Sequence, residues 1–318
     1  MKTEIITTTA TLPQIAGESF FHSRLLMDIY QHTVRHTPYI VIVHSDDGEI
    51  LAHLMAVVRN GKCRIFGEGD YDDELLARKA ISREEVFGEM LQAIENRLSH
   101  KTLYIEVSDL SRKMFAYRQF KKCGFFPINW LQVHNSLHSH HPKDRISRKI
   151  LRRIAYARKM GATTSLVSTD RELQMFYSTI RTYYNFHLRK FCPAKSFFCQ
   201  LMQSGKASLF LTTYHDHPIA AFAIVYSCDD AYLWFGASKK KSHPRLAPDI
   251  LTIWNILNYC HANGIHHLRF MDVGLPFLPN AYYDCIMQFG GKSVGTYRWF
   301  RFHPSWLNSL IRMFLKIV

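Results

Sequence analysis

The chain has 318 residues, of which 47% are hydrophobic and 14% aromatic. This content excludes a disordered chain and is enough for two domains of about 150 residues each. Its 40 Lys and Arg outnumber 26 Asp and Glu, and the net charge of +14 favours an anionic partner such as nucleic acid, a phosphorylated carrier or a membrane surface.

The seven cysteines are scattered and form no Cys-x-x-Cys pair, which indicates reduced thiols rather than zinc ligands or disulfides. The first residues lack the apolar stretch of a secretion signal. No uncharged apolar run approaches the roughly 18 to 20 residues of a spanning helix. We therefore expect a cytoplasmic protein without a transmembrane segment.

In the first half, β-branched and apolar runs bounded by turn residues predict strands, and apolar residues at helical spacing predict helices. The predicted strands are 4–9, 39–44, 50–58, 63–66, 103–107 and 125–133. The predicted helices are 18–33, 83–98 and 111–122. The polar stretch 135–142 ends in proline, which favours a domain boundary after residue 142.

The second half repeats this order of elements. Its predicted strands are 163–167, 207–214, 219–227, 231–236, 267–272 and 293–302. Its predicted helices are 143–161, 172–185, 193–203, one from Pro248 to Asn263 and one over 306–318. We therefore predict an α/β (α+β) protein with two copies of one unit, 1–142 and 143–318, each a mixed, mainly antiparallel sheet flanked by helices.

A basic turn precedes the helix that begins at Pro248. It contains the cations Lys239, Lys240, Lys241 and Arg245. The free N–H groups and the partial positive charge of a helix start favour an anion, so the sequence predicts a site for a phosphorylated carrier. A solvated lysine loop is the alternative.

A second basic segment, helix 143–161, has apolar residues on one face and cations on another. It is either a solvated helix or an anion-facing one. A basic and aromatic segment follows at 186–191. We expect five residues of these two segments to bind the phosphates of a nucleotide-sugar or lipid-linked acceptor. They are Arg148, Arg152, His187, Arg189 and Lys190.

Two further features have alternative interpretations. His138, His140 and His141 have no acidic or cysteine partner at ligand spacing, so we expect no metal. The C-terminal helix over 306–318 is apolar on one side, which fits either docking on the core or shallow attachment to a membrane.

The order of these segments resembles the FemAB-like branch of the GNAT acyltransferase superfamily, which has two GNAT-type units in one chain and includes peptidoglycan aminoacyltransferases. The resemblance covers nearly the whole chain. It is carried by FKKCGFF at 120–126, RISRKILRRIAYARKMGA at 145–162, PIAAFAIVYSCDDAYLWFGAS at 218–238, IWNILNYCHANG at 253–264, LRFMDVG at 268–274 and FGG at 289–291.

The resemblance implies an enzyme that moves an acyl or aminoacyl group from acyl-CoA or aminoacyl-tRNA to an amino group of a cell-envelope precursor or glycan, in the cytoplasm or at the inner membrane face. CoA-dependent relatives carry Gln/Arg-x-x-Gly-x-Gly/Ala before the central helix. Here Arg245-Leu246-Ala247-Pro248-Asp249 keeps the arginine and lacks the glycines, which leaves aminoacyl-tRNA open as donor. Relatives also carry a basic residue where this chain has Ile286.

The resemblance also implies that the donor carbonyl lies against a splayed strand, here 232–236. A backbone N–H of Phe235 or Gly236 is then the expected oxyanion donor. Asp272, at the end of the neighbouring strand, is the predicted base or orienting group for the amine, unless it only caps the turn at Gly274. Tyr282 and Tyr283 are the candidate acids for the leaving group, with simple packing as the alternative.

In this interpretation the N-terminal unit, which lacks a basic turn before its helix, is a scaffold or the acceptor side. A different class of function also fits the sequence. The charge and the missing glycines are compatible with a non-catalytic double-GNAT module that binds RNA or an anionic membrane surface.

Overall fold

The computed structural model describes residues 1–185 and 192–314. The chain folds into two compact units, unit 1 with Met1–Trp130 and Gly295–Val318 and unit 2 with Leu131–Val294. The sequence predicts one boundary after residue 142. The units instead divide within two long strands, so the chain enters unit 2 at Leu131 and returns to unit 1 at Gly295.

Alternating and continuous apolar runs form the strands. The strands are β1 (Lys2–Ile6), β2 (Thr37–His44), β3 (Ile50–Arg59), β4 (Lys62–Phe66), β5 (Asp70–Tyr71), β6 (Tyr104–Ser108), β7 (Phe126–Ser136), β8 (Thr163–Leu166), β9 (Ala207–Tyr214), β10 (His217–Ser227), β11 (Asp230–Ser238), β12 (His267–Gly274) and β13 (Lys292–Phe302).

Segments with helical apolar spacing form the helices. The helices are α1 (Arg24–Gln31), α2 (Asp73–Lys79), α3 (Arg83–Leu98), α4 (Tyr117–Lys122), α5 (Arg148–Lys159), α6 (Asp170–Asn185), α7 (Lys195–Gln203), α8 (Pro248–Ala262), α9 (Ala281–Met287) and α10 (Ser305–Phe314).

The sheet of unit 1 has the order β1-β2-β3-β4-β6-β13, and β5 pairs with β3. Its neighbours are antiparallel except β4 and β6, which pair in parallel from Lys62 opposite Tyr104 to Phe66 opposite Ser108. β13 completes the core of the unit, because the ring of Trp299 is fully buried and stacks on Phe120 with centroids 4.4 Å apart. Unit 1 therefore depends on a strand from the far end of the chain.

The sheet of unit 2 has the order β7-β12-β11-β10-β9-β8. Its neighbours are antiparallel except β11 and β12, which are parallel. Three antiparallel strands, a helix and a parallel strand therefore occur in both units, as β2-β3-β4-α3-β6 and β9-β10-β11-α8-β12. The predicted fold class and the predicted repeat are confirmed.

Some element bounds differ from those predicted. The helix predicted over 111–122 begins only at Tyr117, because Ala116 adopts the left-handed conformation with φ of 49°. β7 extends to Ser136 and so uses the first residues of the predicted polar linker.

A chain of threonine hydroxyls fixes α8 on the sheet of unit 2. The Thr252 hydroxyl donates to the carbonyl oxygen of Pro248 at 2.6 Å and lies 2.5 Å from the Thr212 hydroxyl on β9. Thr212 in turn lies 2.8 Å from the Thr164 hydroxyl on β8. Thr212 and Thr252 are fully buried, so these hydrogen bonds set the position of the first turn of α8.

The hydroxyl chain leads to a stability prediction. Thr252→Val keeps the shape of the side chain but removes the buried hydroxyl that links Thr212 to Pro248, and we expect a loss of about 1 to 2 kcal/mol of unfolding free energy. Urea denaturation followed by circular dichroism measures this loss. Thr163→Val is the matched control, since Thr163 forms an exposed pair with Thr213 at 3.2 Å. An equal effect of the two substitutions would contradict the prediction.

Candidate active site

The two parallel strands of unit 2 separate after a short pairing. β11 and β12 are in register from Asp230 opposite His267 to Leu233 opposite Phe270, while β11 continues along β10 to Ser238. The register of β11 against β10 shifts at the next residue, Trp234. Such a bulge bends its strand and re-aims the backbone groups that follow it. A gap therefore opens beside residues 235–238.

The corresponding pair in unit 1 does not separate. β4 and β6 are in register up to Phe66 opposite Ser108, and the next residue, Gly67, still donates its N–H to the carbonyl oxygen of Ser108 at 2.8 Å. The opening is therefore a property of unit 2, where the predicted oxyanion donors and the predicted base lie.

Gly236 lies at this opening, and its backbone forms a hydrogen bond with the Tyr184 side chain at the end of α6. The predicted oxyanion donor therefore already has a partner in this structure. Burial raises the pKa of Tyr184, the hydrogen bond from Gly236 lowers it, and the negative charge of Asp272 raises it. Because the upward effects dominate, the Tyr184 hydroxyl keeps its proton at neutral pH and can donate it in a hydrogen bond.

Asp272 is exposed near the end of β12 in a left-handed conformation with φ of 53°. The register of β12 against β7 jumps around it, from Phe270 opposite Val133 to Gly274 opposite Leu131. Such a conformation is uncommon for a residue other than glycine and directs the side chain away from the regular ladder.

The charge of Asp272 also acts on a second tyrosine. Burial raises the pKa of Tyr282 at the start of α9, and the negative charge of Asp272 contributes to the same shift. The opening thus brings together one exposed carboxylate and two protonated phenols, those of Tyr184 and Tyr282.

The other two predicted catalytic residues lie in packed surroundings. The Phe235 side chain is buried and packs on Phe198 with ring centroids 5.1 Å apart, so only its backbone faces the opening. Tyr283 is partly buried against the core of unit 2, and its N–H donates to the side-chain oxygen of Asn280 at 3.3 Å. The charge of Asp272 acts on the neighbouring Tyr282, the other tyrosine that the sequence suggests as the acid.

The start of α8 carries a carboxylate of its own. Pro248 supplies no N–H, and the N–H of Ile250 donates to Asp249 Oδ1 at 2.9 Å. Asp249 Oδ2 lies 3.9 Å from Lys240 Nζ and 3.7 Å from Cys285 Sγ. Asp249 therefore occupies the position at which a free helix start would bind an external anion.

The surroundings of Cys285 identify a cation that the sequence pattern does not single out. Burial raises the pKa of the Cys285 thiol to about 12, the charge of Asp249 contributes to the rise, and the charges of Lys240 and Arg153 oppose it. Arg153 therefore acts at the start of α8, whereas Arg148 and Arg152 are exposed on another face of α5.

The remaining predicted cations are exposed. Lys239, Lys241 and Arg245 lie in the turn between β11 and α8. Hydrogen bonds from the N–H groups of Ser242 and His243 to the carbonyl oxygen of Lys239 make this turn compact. His187, Arg189 and Lys190 lie outside the residues that the structure describes.

The histidine-rich segment packs by its rings. The ring centroids of His138 and His267 lie 5.2 Å apart, and those of His141 and His261 lie 4.8 Å apart. Over residues 1–185 and 192–314, no three His, Cys, Asp or Glu side chains are grouped so that they could hold a metal ion. None of the helices described is both long and apolar enough to cross a membrane.

Residues 144–280, which contain β11, α8 and β12, match the family model of the acetyltransferase (GNAT) domain. Residues 144–280 therefore form a GNAT domain. The match covers the separated strands and the basic turn of unit 2 and lies within the predicted second domain. None of the curated protein sequences matches the chain.

Three solved structures are similar in fold to most of the chain. FemX is 11% identical with a TM-score of 0.59, covering 99% of each chain. The C-terminal domain of a protein named as a lysylphosphatidylglycerol synthetase from Agrobacterium fabrum is 9% identical with a TM-score of 0.60, covering 93% of this chain and 92% of the other. A tandem GNAT protein from the clavulanic acid pathway is 10% identical with a TM-score of 0.56, covering 95% and 99%. The FemAB-like tandem GNAT fold is therefore confirmed.

The packing of Gly236 leads to a prediction. A Cβ atom at this position would lie 2.7 Å from the Phe222 ring of β10. We expect Gly236→Ala to lower the unfolding free energy by about 1 to 3 kcal/mol through overpacking, as measured by thermal or urea denaturation.

Gly295→Ala is the matched control for this prediction, since no atom lies within 4 Å of a Cβ at that position. A second substitution, Phe222→Leu, should restore part of the stability of Gly236→Ala by making room for the methyl group. Equal unfolding free energies of Gly236→Ala and the parent chain would show that the Phe222 ring leaves room for a Cβ atom at position 236.

Proposed function

We propose that unit 2 transfers an acyl or aminoacyl group from a phosphorylated carrier to an amino group of a cell-envelope precursor or glycan. The observation that carries this proposal is the grouping of Gly236, Tyr184, Tyr282 and Asp272 where β11 and β12 separate. Unit 1, whose equivalent strands stay paired, then serves as scaffold or acceptor side.

The four groups supply the elements of acyl transfer to an amine. The amine nitrogen attacks the acyl carbonyl carbon, a C–N bond forms, and the carbonyl oxygen becomes an oxyanion. The Tyr184 hydroxyl, polarised by the Gly236 backbone, donates a hydrogen bond to this oxyanion. Asp272 accepts the proton that the amine loses.

The second half of the reaction breaks the bond between the carbonyl carbon and the oxygen or sulfur of the carrier. Tyr282 keeps its proton at neutral pH because burial and the charge of Asp272 raise its pKa, and it gives that proton to the leaving atom. The proton held by Asp272 then returns to Tyr282, so both groups recover their starting states. The sequence suggests this role for both Tyr282 and Tyr283, and the charge of Asp272 favours Tyr282.

Superfamily members generally use acyl-CoA, whose pyrophosphate needs free N–H groups at the start of the central helix. The residues here do not fit that arrangement, because Pro248 supplies no N–H and the Asp249 carboxylate accepts the N–H of Ile250. An aminoacyl ester of a larger anionic carrier, such as aminoacyl-tRNA, fits better. The exposed Lys239, Lys241 and Arg245 can contact the backbone of that carrier in front of the helix.

The exposed face of α5 supports the acceptor side of the proposal. Arg148 and Arg152 lie four residues apart on a helix, so both side chains extend from the same face. Arginine forms forked contacts with phosphate, and two neighbouring arginines match a pyrophosphate in a nucleotide or lipid-linked precursor. His187, Arg189 and Lys190 stay predicted members of the same site.

α10 supports a location at the inner face of the membrane. Trp306 and Met313 are each 68% exposed and Leu310 is 39% exposed, although the helix has a marked apolar side. A tryptophan and long apolar side chains on an exposed helix are typical of shallow insertion at a lipid surface.

Substitution of the proposed base and of the oxyanion donor tests the reaction. We expect Asp272→Asn to lower kcat by about 10²- to 10⁴-fold, since general base catalysis contributes that much. Tyr184→Phe should lower kcat by about 10²- to 10³-fold with little change in KM, because it removes one oxyanion donor. The assay measures transfer from charged tRNA and, in parallel, from acetyl-CoA to an amine acceptor.

Asp229→Asn is the matched control, because this carboxylate is exposed directly before β11, at the end where β11 and β12 are still paired. Full activity of Asp272→Asn would remove the proposed base. A parent chain that binds RNA or anionic vesicles and transfers no acyl group would support the non-catalytic module instead.

The exposed face of α10 gives a separate prediction. Trp306→Ser combined with Met313→Ser should weaken binding to phosphatidylglycerol vesicles at least about tenfold, because each large apolar side chain contributes roughly 1.5 to 3 kcal/mol when it leaves water. Vesicle co-sedimentation measures the change. Met114→Ser is the control, since Met114 is 59% exposed elsewhere in unit 1. Unchanged binding of the double variant would exclude α10 as the attachment surface.

A further inference from the structure

The loop between β12 and α9 connects the proposed base to the proposed acid. Asp272 lies two residues before the end of β12, and Tyr282 lies in the first turn of α9. Residues 276–279 of the loop are all exposed, with Phe277 at 65% and Leu278 at 56%. Burial therefore does not fix the middle of this loop.

α9 is fixed in the core of unit 2 by its second half. Cys285 and Ile286 are buried, whereas Tyr282 is only partly buried. A helix of seven residues is too short to be stable by itself, so the position of its first turn depends on contacts with other parts of the chain.

The amide side chain of Asn280 connects this first turn to the end of β12. Asn280 Oδ1 accepts the N–H of Tyr282 at 2.9 Å and the N–H of Tyr283 at 3.3 Å. Asn280 Nδ2 donates to the carbonyl oxygen of Val273, the residue after Asp272. Asn280 therefore bonds both to the backbone beside the proposed base and to the backbone of the proposed acid.

The backbone beside Asp272 leaves space for this amide. Gly274 has φ of 120°, and a Cβ atom at this position would lie 2.7 Å from Asn280 Nδ2, so a side chain here would push the amide away. Asp272 has φ of 53°, a conformation that costs free energy for a residue other than glycine and persists only where its surroundings hold it. The hydrogen bond from Asn280 to Val273 holds the chain directly after Asp272.

The oxygen and the nitrogen of this amide have different roles. The oxygen caps α9, and serine or aspartate forms such a cap about as well as asparagine. The nitrogen is a donor that fixes the end of β12 against α9. Neither the shorter serine side chain nor a carboxylate, which has no donor, replaces it.

We propose that Asn280 is a positioning residue, which holds Asp272 and Tyr282 at the separation that proton transfer between them requires. This inference rests on the reaction proposed for unit 2. In that reaction the proton that Asp272 takes from the amine returns to Tyr282, and the two groups must lie within hydrogen-bond reach or one water apart. Asn280 acts through the backbone of the two segments and contacts no reacting atom.

Substitutions that keep the cap test this role. Asn280→Ser and Asn280→Asp retain an acceptor for the first N–H groups of α9 but lose the donor to Val273. We expect both variants to lower kcat at least about tenfold with little change in KM, because a displacement of about 1 Å in a catalytic group can cost about 10²-fold. The assay measures transfer from charged tRNA and from acetyl-CoA to an amine acceptor. Parental kcat in either variant would overturn the proposal, since it is the result expected of a simple helix cap.

Asn263→Ser is the matched control. Asn263 Nδ2 also donates to a backbone carbonyl oxygen, that of Tyr259 at 2.8 Å, and Asn263 is exposed at the end of α8. The kcat of this variant should match that of the parent chain. A loss equal to that of Asn280→Ser would contradict the proposal, because removal of any such hydrogen bond would then lower kcat.

The ionisation of Tyr282 reports its position without any transfer reaction. Burial raises the pKa of Tyr282, and the charges of neighbouring groups contribute to the rise. These groups are Tyr184, Cys285, Asp272 and Tyr183. At about pH 11 an ordinary tyrosine is largely ionised, whereas Tyr282 of the parent chain should still be protonated.

Nuclear magnetic resonance of chains labelled with ¹³C at tyrosine Cζ measures this ionisation, and Tyr282→Phe assigns the signal. In Asn280→Ser the first turn of α9 loses its bond to β12, so Tyr282 should move towards water and be largely ionised at about pH 11. Circular dichroism at the same pH verifies the fold of both chains. An unchanged titration of Tyr282 would show that Asn280 does not position it and would overturn the proposal.

The two measurements separate this inference from the proposed function. A parent chain without transfer activity, together with earlier ionisation of Tyr282 in Asn280→Ser, would refute the reaction and leave Asn280 as a structural link. An active parent chain whose kcat survives both Asn280 substitutions would refute the inference and leave the reaction standing.

Discussion

The separation of β11 from β12 is the constraint on which the chemistry of unit 2 depends. Two parallel strands share hydrogen bonds for four residue pairs and then part at the bulge of Trp234 and the left-handed Asp272. Backbone groups that a regular ladder would consume become available to other partners. Tyr184 uses one of them, at Gly236, and the carboxylate of Asp272 reaches the same opening because β12 no longer runs beside β11.

Charge is distributed very unevenly over the chain. Cations are exposed in the turn before α8 and on α5, while Glu49, Asp72 and Glu74 line a pocket of unit 1 beside β3 and α2. At the start of α8 the Asp249 carboxylate already accepts the N–H of Ile250. An anion would therefore be bound by the exposed side chains of the turn and not by the backbone N–H groups of the helix. An anion that is bound in this way must be large enough to contact several side chains, since each exposed contact contributes little by itself.

Much of the fold could be predicted from local pattern. The order of strands and helices in both units, the start of α8 at Pro248 and the position of Asp272 follow from turn residues and apolar spacing. The pairing of the long strands could not be predicted in this way. A strand pattern shows which residues are buried, but it does not show which other strand pairs with that strand. The units therefore divide within β7 and β13, and not at the boundary that the polar segment 135–142 suggests.

The site itself was only partly predictable for a similar reason. Tyr184 meets Gly236 through packing between α6 and β11, residues far apart in sequence, and no local motif marks a tyrosine near the end of a helix as functional. Arg153 stands among similar neighbours on α5, and only its packing toward α8 distinguishes it from Arg152.

The use of β13 in unit 1 has a consequence during synthesis. The ribosome releases residues 1–130 first, yet β13 from the far end of the chain supplies the partner strand of β6 and the Trp299 ring that stacks on Phe120. At about 5 to 20 residues per second, the nascent first unit waits on the order of ten seconds with an open strand edge and an uncovered aromatic core. During that interval the open strand edge makes the nascent chain prone to aggregation, and a translational pause within unit 2 would prolong the exposure.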